Sequence, residues 1–230
     1  EYELVAGSEN IEIGNIAYDS RKVDKESSFV CISGAVCDGH SFVEDVVTKG
    51  ARAIIIEKDV DVDKLCDINN DLVIIRVKNT RLALACMAAD YFGNPASKLT
   101  TIGITGTKGK TTTTYMVRNM LEKAGHKTGL IGTIETIIGD EVIPSVNTTP
   151  ESYVVQEYFA KMVEAGCECV VMEVSSQGLM LNRVAGFEFD YGVFSNLEAD
   201  HIGPNEHKDF DDYMHCKGLL FKMCKTGIIN

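Results

Sequence analysis

Residues 101–116, TIGITGTKGKTTTTYM, constrain the fold more than any other stretch of the 230-residue chain. A β-branched apolar run passes through glycines at 103, 106 and 109 into Lys-Thr and a helical pattern. The segment reads as strand, tight loop and helix. Converging backbone N–H groups, the partly positive start of a helix and a lysine make such a turn a cradle for phosphate oxygens. Lys110 is expected to reach the outer phosphates, and Thr111 to place its hydroxyl on Mg²⁺ as the last residue of GxxxxGK[ST] does. The strict pattern is absent, because Ile104 stands five residues before Gly109 and the spacing is G-x-x-G-x-x-G-K-T. A plain strand-to-helix turn is the other reading of these glycines.

The rest of the chain alternates in the same way. FVCIS (29–33), AIIIE (53–57) and LVIIRV (72–77) read as strands, while HSFVEDVVTKG and TRLALACMAADYFG have helical spacing and end in Gly. GNPASK (93–98) interrupts the pattern and divides the chain into domains 1–97 and 98–230. Beyond it come strand TTIGIT, a helix from Lys110, strand KTGLIG, a helix over 150–165, strands ECVVMEV and YGVFSNL, and a helix over 211–224. Alternation of this kind means α/β architecture with largely parallel, covered sheets. The final KTGIIN reads as a further strand, so the expectation is a piece of a longer protein that stops mid-sheet.

Net charge is −12, from 34 acidic against 22 basic residues without a Lys/Arg block. Nucleic acid and anionic membranes are therefore poor partners, and any anionic ligand has to be held locally. No apolar run approaches the ~20 residues of a membrane span, and no signal-like segment opens the chain. A cytosolic protein is expected. The eight cysteines form no CxxC pair, which favours reduced thiols, and Cys167 and Cys169 are expected to be buried on one face of a strand. Glu173 follows the apolar CVVM, a place where α/β sheets keep ligands, and its carboxylate suits Mg²⁺.

The GTKGKT loop resembles the GTNGKT loop of the Mur ligases, ATP-dependent amide-forming enzymes of peptidoglycan precursor synthesis, with Lys108 where Asn is usual. YDSRKV (18–23) followed by FVCISGAVCDGHSF is similar to their uridine-nucleotide-binding N-terminal domain. NTTPES (147–152), EVSSQGL (173–179), FSNLEADH (194–201) and YMHCKGLLF (213–221) follow in the order of their central, P-loop ATPase-like domain. The set resembles the tripeptide synthetase branch, which adds meso-diaminopimelate or lysine to UDP-N-acetylmuramoyl-L-alanyl-D-glutamate. That resemblance implies a cytoplasmic monomer using ATP and Mg²⁺ to form an acyl phosphate that an amino acid then attacks. It also implies a third domain that selects the amino acid, none of whose motifs is found here.

The resemblance assigns ATP to Gly106, Thr107, Lys108, Gly109, Lys110, Thr111 and Thr112. Metal ligands would be Thr111, Glu173, His201 and Lys217, the last as an N-carbamyl group, and Lys110, Glu173, His201 and Lys217 would be the catalytic set. Carbamylation requires a neutral amine and hence a depressed lysine pKa. An ordinary solvated helix lysine is the alternative for Lys217. Ser20, Arg21 and the turn of Ala35, Val36 and Cys37 would receive the uridine diphosphate. Asn147, Thr148, Thr149, Ser175 and Arg183 would hold the muramoyl-peptide end, Arg183 by bidentate bonding. Arg21, Lys108, Lys110 and Arg183 are expected to concentrate positive charge for a polyanionic substrate.

Three departures accompany the match. The family's DHLDxH is here DHIGPNEH, which leaves His201 and His207 as competing metal contacts and a surface-loop role open for His207. Gln177 stands where His is usual, and Leu181 where a polar residue often precedes the Arg. Two other ligases with a similar loop, folylpolyglutamate and cyanophycin synthetases, are disfavoured by DSR and DGH. A non-catalytic nucleotide-binding partner protein is separated from a ligase by whether the intact protein makes an amide. A generic P-loop kinase or GTPase requires the strict loop.

Overall fold

The computed structural model describes residues 1–34, 37–200, 202–203 and 207–230; His201, Ala35 and Val36, expected in the site, lie outside these. The chain divides into two compact units, Glu1–Leu84 and Ala85–Asn230. In the first, β1 (Tyr2–Ala6), β2 (Asn15–Ala17), β3 (Ser27–Val30), α1 (Val43–Thr48), β4 (Ala53–Ile56), α2 (Val62–Ile68) and β5 (Val73–Val77) lead into α3 (Thr80–Tyr91). The division between units falls inside α3, before the GNPASK turn. The described strands form one sheet in the order β1-β5-β4-β3-β2, parallel except for β1. Register pairs Phe29 with Ile54 and Ile54 with Ile74, and the three side chains join Val46, Val47 and Leu65 in one core. Strand β3 starts two residues earlier than FVCIS suggests, because Ser27 and Ser28 are buried and the Ser27 hydroxyl is satisfied by Asp24.

The second unit runs β6 (Thr100–Thr105), α4 (Lys110–Lys123), β7 (Thr128–Ile131), β8 (Glu135–Ile138), β9 (Glu141–Pro144), α5 (Ser152–Glu164), β10 (Cys169–Glu173), α6 (Ser176–Met180), β11 (Phe189–Phe194), α7 (Phe210–Gly218) and β12 (Cys224–Ile229). Its sheet has the order β12-β11-β6-β10-β7-β8-β9, with β12 through β7 parallel and the β8–β9 hairpin antiparallel. Period-two alternation covers both faces. Val171 packs with Ile102 and Ile104 against Val117 and Leu121 of α4, whereas Val170 and Met172 join Phe159 and Met162 of α5. Fully burying Phe159, at 0 % exposure, contributes roughly 1.5–3 kcal/mol to that second layer.

The expected helix over 211–224 is cut short. α7 ends at Gly218, a 3₁₀ turn covers Leu219–Lys222, and β12 follows. Leu220 explains the change: it is fully buried and packs over Gly103 and Gly192, whose missing side chains leave room for it on the sheet. Its insertion turns the chain back beside β11. Cys167 and Cys169 are both buried, but only Cys169 lies in the strand. Among the described residues no helix is long and apolar enough to cross a membrane.

Candidate active site

Parallel pairing places Glu173, the last residue of β10, beside Ile104 of β6, so the strand end carrying the carboxylate flanks the glycine loop. Two glycines shape that loop for different reasons. Gly109 takes φ +78° at the N-cap of α4, a left-handed conformation that L side chains rarely adopt. At Gly106 a Cβ would collide with the Ser195 hydroxyl. After Lys110, helix α4 continues with four threonines, poor helix formers, and Thr114 bonds back to the Lys110 carbonyl at 2.8 Å. Packing of Val117 and Leu121 on the sheet holds the helix in place.

Two lysines converge on one carbonyl. Lys110 Nζ donates to Gly106 O at 2.9 Å and to Thr107 O at 3.2 Å, and Lys217 Nζ donates to the same Gly106 O at 2.8 Å. Lys217 is 1 % exposed and lies 4.5 Å from the Tyr213 ring centroid. Those two residues, four apart on α7, share one helix face. The Tyr213 hydroxyl donates to Thr107 Oγ1 at 3.1 Å, tying α7 to the loop. Burial, and then the Lys110 charge, push the Lys217 amine down to about 7, with Asp200 pulling the other way. Burial also lowers Lys110, against Glu173 and Asp200. Lys217 is therefore not a solvated helix lysine.

Glu173 is 1 % exposed and held from both oxygens. Oε2 accepts from Thr111 Oγ1 at 3.0 Å and Thr133 Oγ1 at 3.1 Å, while Oε1 accepts from the Thr133 N–H at 2.9 Å. The backbone of the same strand end is tied to the TTP turn: Thr149 Oγ1 donates to Glu173 O at 3.0 Å and accepts from the Ser175 N–H at 3.0 Å. A threonine hydroxyl and a carboxylate meeting at this distance form an all-oxygen donor set, which fits Mg²⁺.

A cleft of about 230 Å³ opens beside these groups. Lys110, Asn147, Thr148, Thr149, Ser175, Arg183 and Lys217 line it, together with Ser176, Gln177, Met180 and His207. Arg183 Nη1 donates to Thr149 O at 3.2 Å; its Nε makes no hydrogen bond, and the Glu151 carboxylate lies 3.6 Å away. Gln177 is exposed at the cleft, whereas Leu181 is not among the lining residues. His207 is 2 % exposed, which removes the surface-loop reading: Nε2 lies 2.8 Å from Ser176 Oγ and Nδ1 3.1 Å from Asp212 Oδ2.

The expected cluster of positive charge is narrower than the sequence suggests. Lys108 is exposed and paired with Glu198, while its backbone is clamped by the Asn196 side chain at 2.9 and 2.8 Å. Thr112 is exposed on the first turn of α4. In the first unit Arg21 pairs with Asp19 at 2.6 Å and holds that carboxyl down at about 2. Ser20 accepts from Lys49 through its carbonyl at 2.9 Å, and Cys37 is exposed. His40 of DGH bridges Asp38, at 2.7 Å, to the Glu57 N–H, at 3.1 Å.

Sequence reasoning missed Thr133, which supplies two of the hydrogen bonds to Glu173, and the carbonyl shared by Lys110 and Lys217. Thr133 sits between β7 and β8. The nearest signal was Gly139 with Asp140 between two β-branched runs, a hairpin pattern that marks the β8–β9 turn and so sets a further strand, β8, just beyond Thr133.

Comparison with known proteins places most of the chain in one family. Residues 104–230 match the Mur ligase middle domain, and residues 12–92 match the model described as Mur ligase family, catalytic domain. The UDP-N-acetylmuramoyl-L-alanyl-D-glutamate–2,6-diaminopimelate ligase of Clostridium perfringens is 48 % identical over 230 residues, covering 100 % of this chain and 46 % of that protein. The ligase of the same name from Bacillus cereus is 46 % identical over 217 residues, covering 94 % and 42 %. The chain thus spans about half the length of the curated relatives it matches. A solved structure of a ligase of that name shares the fold at TM-score 0.80 and 24 % identity, over 95 % of this chain and 43 % of the other. The MurF ligase from Thermotoga maritima in complex with ADP shares it at TM-score 0.56 and 22 % identity, over 96 % and 47 %. With its strand, glycine loop and buried Glu173 inside a family match covering more than half its length, the chain belongs to the Mur ligase family.

Proposed function

We propose that this chain is the substrate- and ATP-binding part of a cytoplasmic, monomeric ligase that adds the third amino acid to UDP-N-acetylmuramoyl-L-alanyl-D-glutamate. Residues 1–97 would receive the uridine nucleotide and residues 98–230 would hold ATP. The names of relatives 41–48 % identical to it favour diaminopimelate over lysine as the amino acid. The observation that carries the reading is the pair of lysines on Gly106 O, one of them fully buried, beside a buried carboxylate already hydrogen-bonded to Thr111.

In this reading Lys110 leaves the Gly106 carbonyl for the terminal phosphate oxygens as nucleotide enters, and backbone N–H groups of the loop hold the inner ones. Thr111 and Glu173 would hold Mg²⁺, which supplies charge neutralisation at the phosphates during transfer. Arg183, with an unsatisfied Nε, orients the anionic end of the substrate near Thr149 and Ser175. The neutral Lys217 amine attacks CO₂ and loses a proton, giving a carbamate whose oxygens replace a cation with an anionic ligand. The second-metal role of His201 falls on a residue outside those described.

Calorimetry of the 230-residue chain tests the assignment. UDP binding is expected, with no amide formed from ATP, dipeptide substrate and diaminopimelate. Bringing the reacting oxygens to attack distance contributes roughly 7–11 kcal/mol, and closure by a further domain supplies that alignment in enzymes of this kind. Amide synthesis by these residues alone would refute the division of labour, and absence of UDP binding would refute the role given to the first unit.

A further inference from the structure

We infer that His207, Asp212 and Cys216 form a second cation site, made for a borderline-soft divalent ion such as Zn²⁺ or Co²⁺ and separate from the all-oxygen arrangement at Thr111 and Glu173. One ligand atom from each of the three lies within 4.8 Å of the other two. Asp212 and Cys216 are four apart on α7 and face the same side, and His207 comes from the segment that enters the helix. The His207 Nδ1 to Asp212 Oδ2 distance is 3.1 Å. A tetrahedral ion held at about 2.0–2.1 Å by nitrogen and oxygen sets those atoms about 3.3 Å apart, so one edge of the tetrahedron is nearly built.

The other ring nitrogen supports the same reading. Nε2 lies 2.8 Å from the buried Ser176 hydroxyl, an outer partner of the kind that fixes the tautomer and orientation of a metal-binding imidazole. Thiolate, imidazole and a single carboxylate suit Zn²⁺ or Co²⁺, whereas Mg²⁺ and Ca²⁺ select oxygen donors. Binding releases the Cys216 thiol proton to solvent and leaves the sulfur anionic between two other ligands. Three protein ligands leave a fourth position for water. Because Lys217 follows Cys216 directly, an ion here would anchor the turn of α7 that carries the buried amine.

The test is a cobalt(II) titration of the chelator-treated 230-residue chain without nucleotide, read by thiolate-to-cobalt charge-transfer absorption, so that its outcome is independent of the ligase reading. One equivalent with a thiolate band is expected. Cys216→Ser should abolish the band, and His207→Ala should weaken binding at least about tenfold, the scale set by loss of an outer partner alone. Asp212→Asn, on the first turn of α7, should weaken it likewise, and it serves as the readout if either buried substitution lowers the melting temperature in chelator. Serine at the exposed Cys86 should leave the cobalt band and its stoichiometry unchanged. An unchanged band in Cys216→Ser, full affinity in Asp212→Asn, or loss of the band on replacing Cys86 would overturn the site in favour of adventitious thiol binding.

Discussion

The motif charges of the first unit and those around the glycine loop of the second are treated in opposite ways. Arg21 lies against Asp19, and Lys58 against Asp38, whose other oxygen meets the His40 ring. Around Gly106, the half-buried Lys110 and the buried Lys217 meet on one carbonyl, and neither donates to a carboxylate among the described contacts. Exposed pairs of the first kind contribute little to stability and are cheap to keep. Burying two like charges is unfavourable unless one gives up its proton or an anion arrives. The contrast separates charges already paired at the surface from charges whose burial calls for an anionic ligand.

The largest expected effect is at Lys217. In the intact ligase, Lys217→Ala should abolish amide formation, and a short carboxylic acid should restore part of it by supplying the missing anionic oxygen; full activity without the additive would remove the carbamate from the scheme. At Lys110 the loss is one charge-assisted contact of roughly 1.5–3 kcal/mol. Mg-ATP affinity of Lys110→Ala should fall tenfold or more by calorimetry, and unchanged affinity would place the phosphates elsewhere.

The same burial gives a smaller, pH-dependent effect on stability. The folded Lys217 amine titrates near 7 against an ordinary 10.5, so between those values the unfolded chain binds more protons. The contribution of this group to stability should therefore rise with pH across that window. Urea unfolding of Lys217→Met should show a flatter pH profile than the parent from about 7 upward; parallel profiles would contradict the shift. The smallest expected effect is at Arg21, which is exposed and paired with Asp19. Arg21→Ala should leave the melting temperature unchanged while weakening UDP binding, and an equal loss of stability would make it a structural residue.

Much of this contrast was legible in the sequence, and the unread part has a physical cause. The strand–loop–helix at 101–116 and the carboxylate ending β10 follow from local pattern, since β-branched runs, glycine spacing and helix starts are set within a few residues. The pairing of Lys108 with Glu198 was not legible, because it depends on β11 lying beside β6, a contact between segments far apart in the chain. Thr133 was hidden for a similar reason: its bond to Glu173 requires the turn between β7 and β8 to lie against the end of β10. The short 3₁₀ turn after α7 came from packing of Leu220 over two sheet glycines, which no helical periodicity encodes. The burial of His207 arose from Ser176 on α6, another partner distant in sequence.

The protonation state of Lys217 is where the buried-charge account is most directly exposed to test. With isotope-labelled lysine, its side-chain resonance can be assigned by comparison with Lys217→Met and followed against pH in buffer freed of carbon dioxide. A midpoint near 7 is expected, with a carbamate signal appearing when bicarbonate is added. A midpoint at the ordinary 10.5 would show a fully charged amine beside Lys110 and contradict the account.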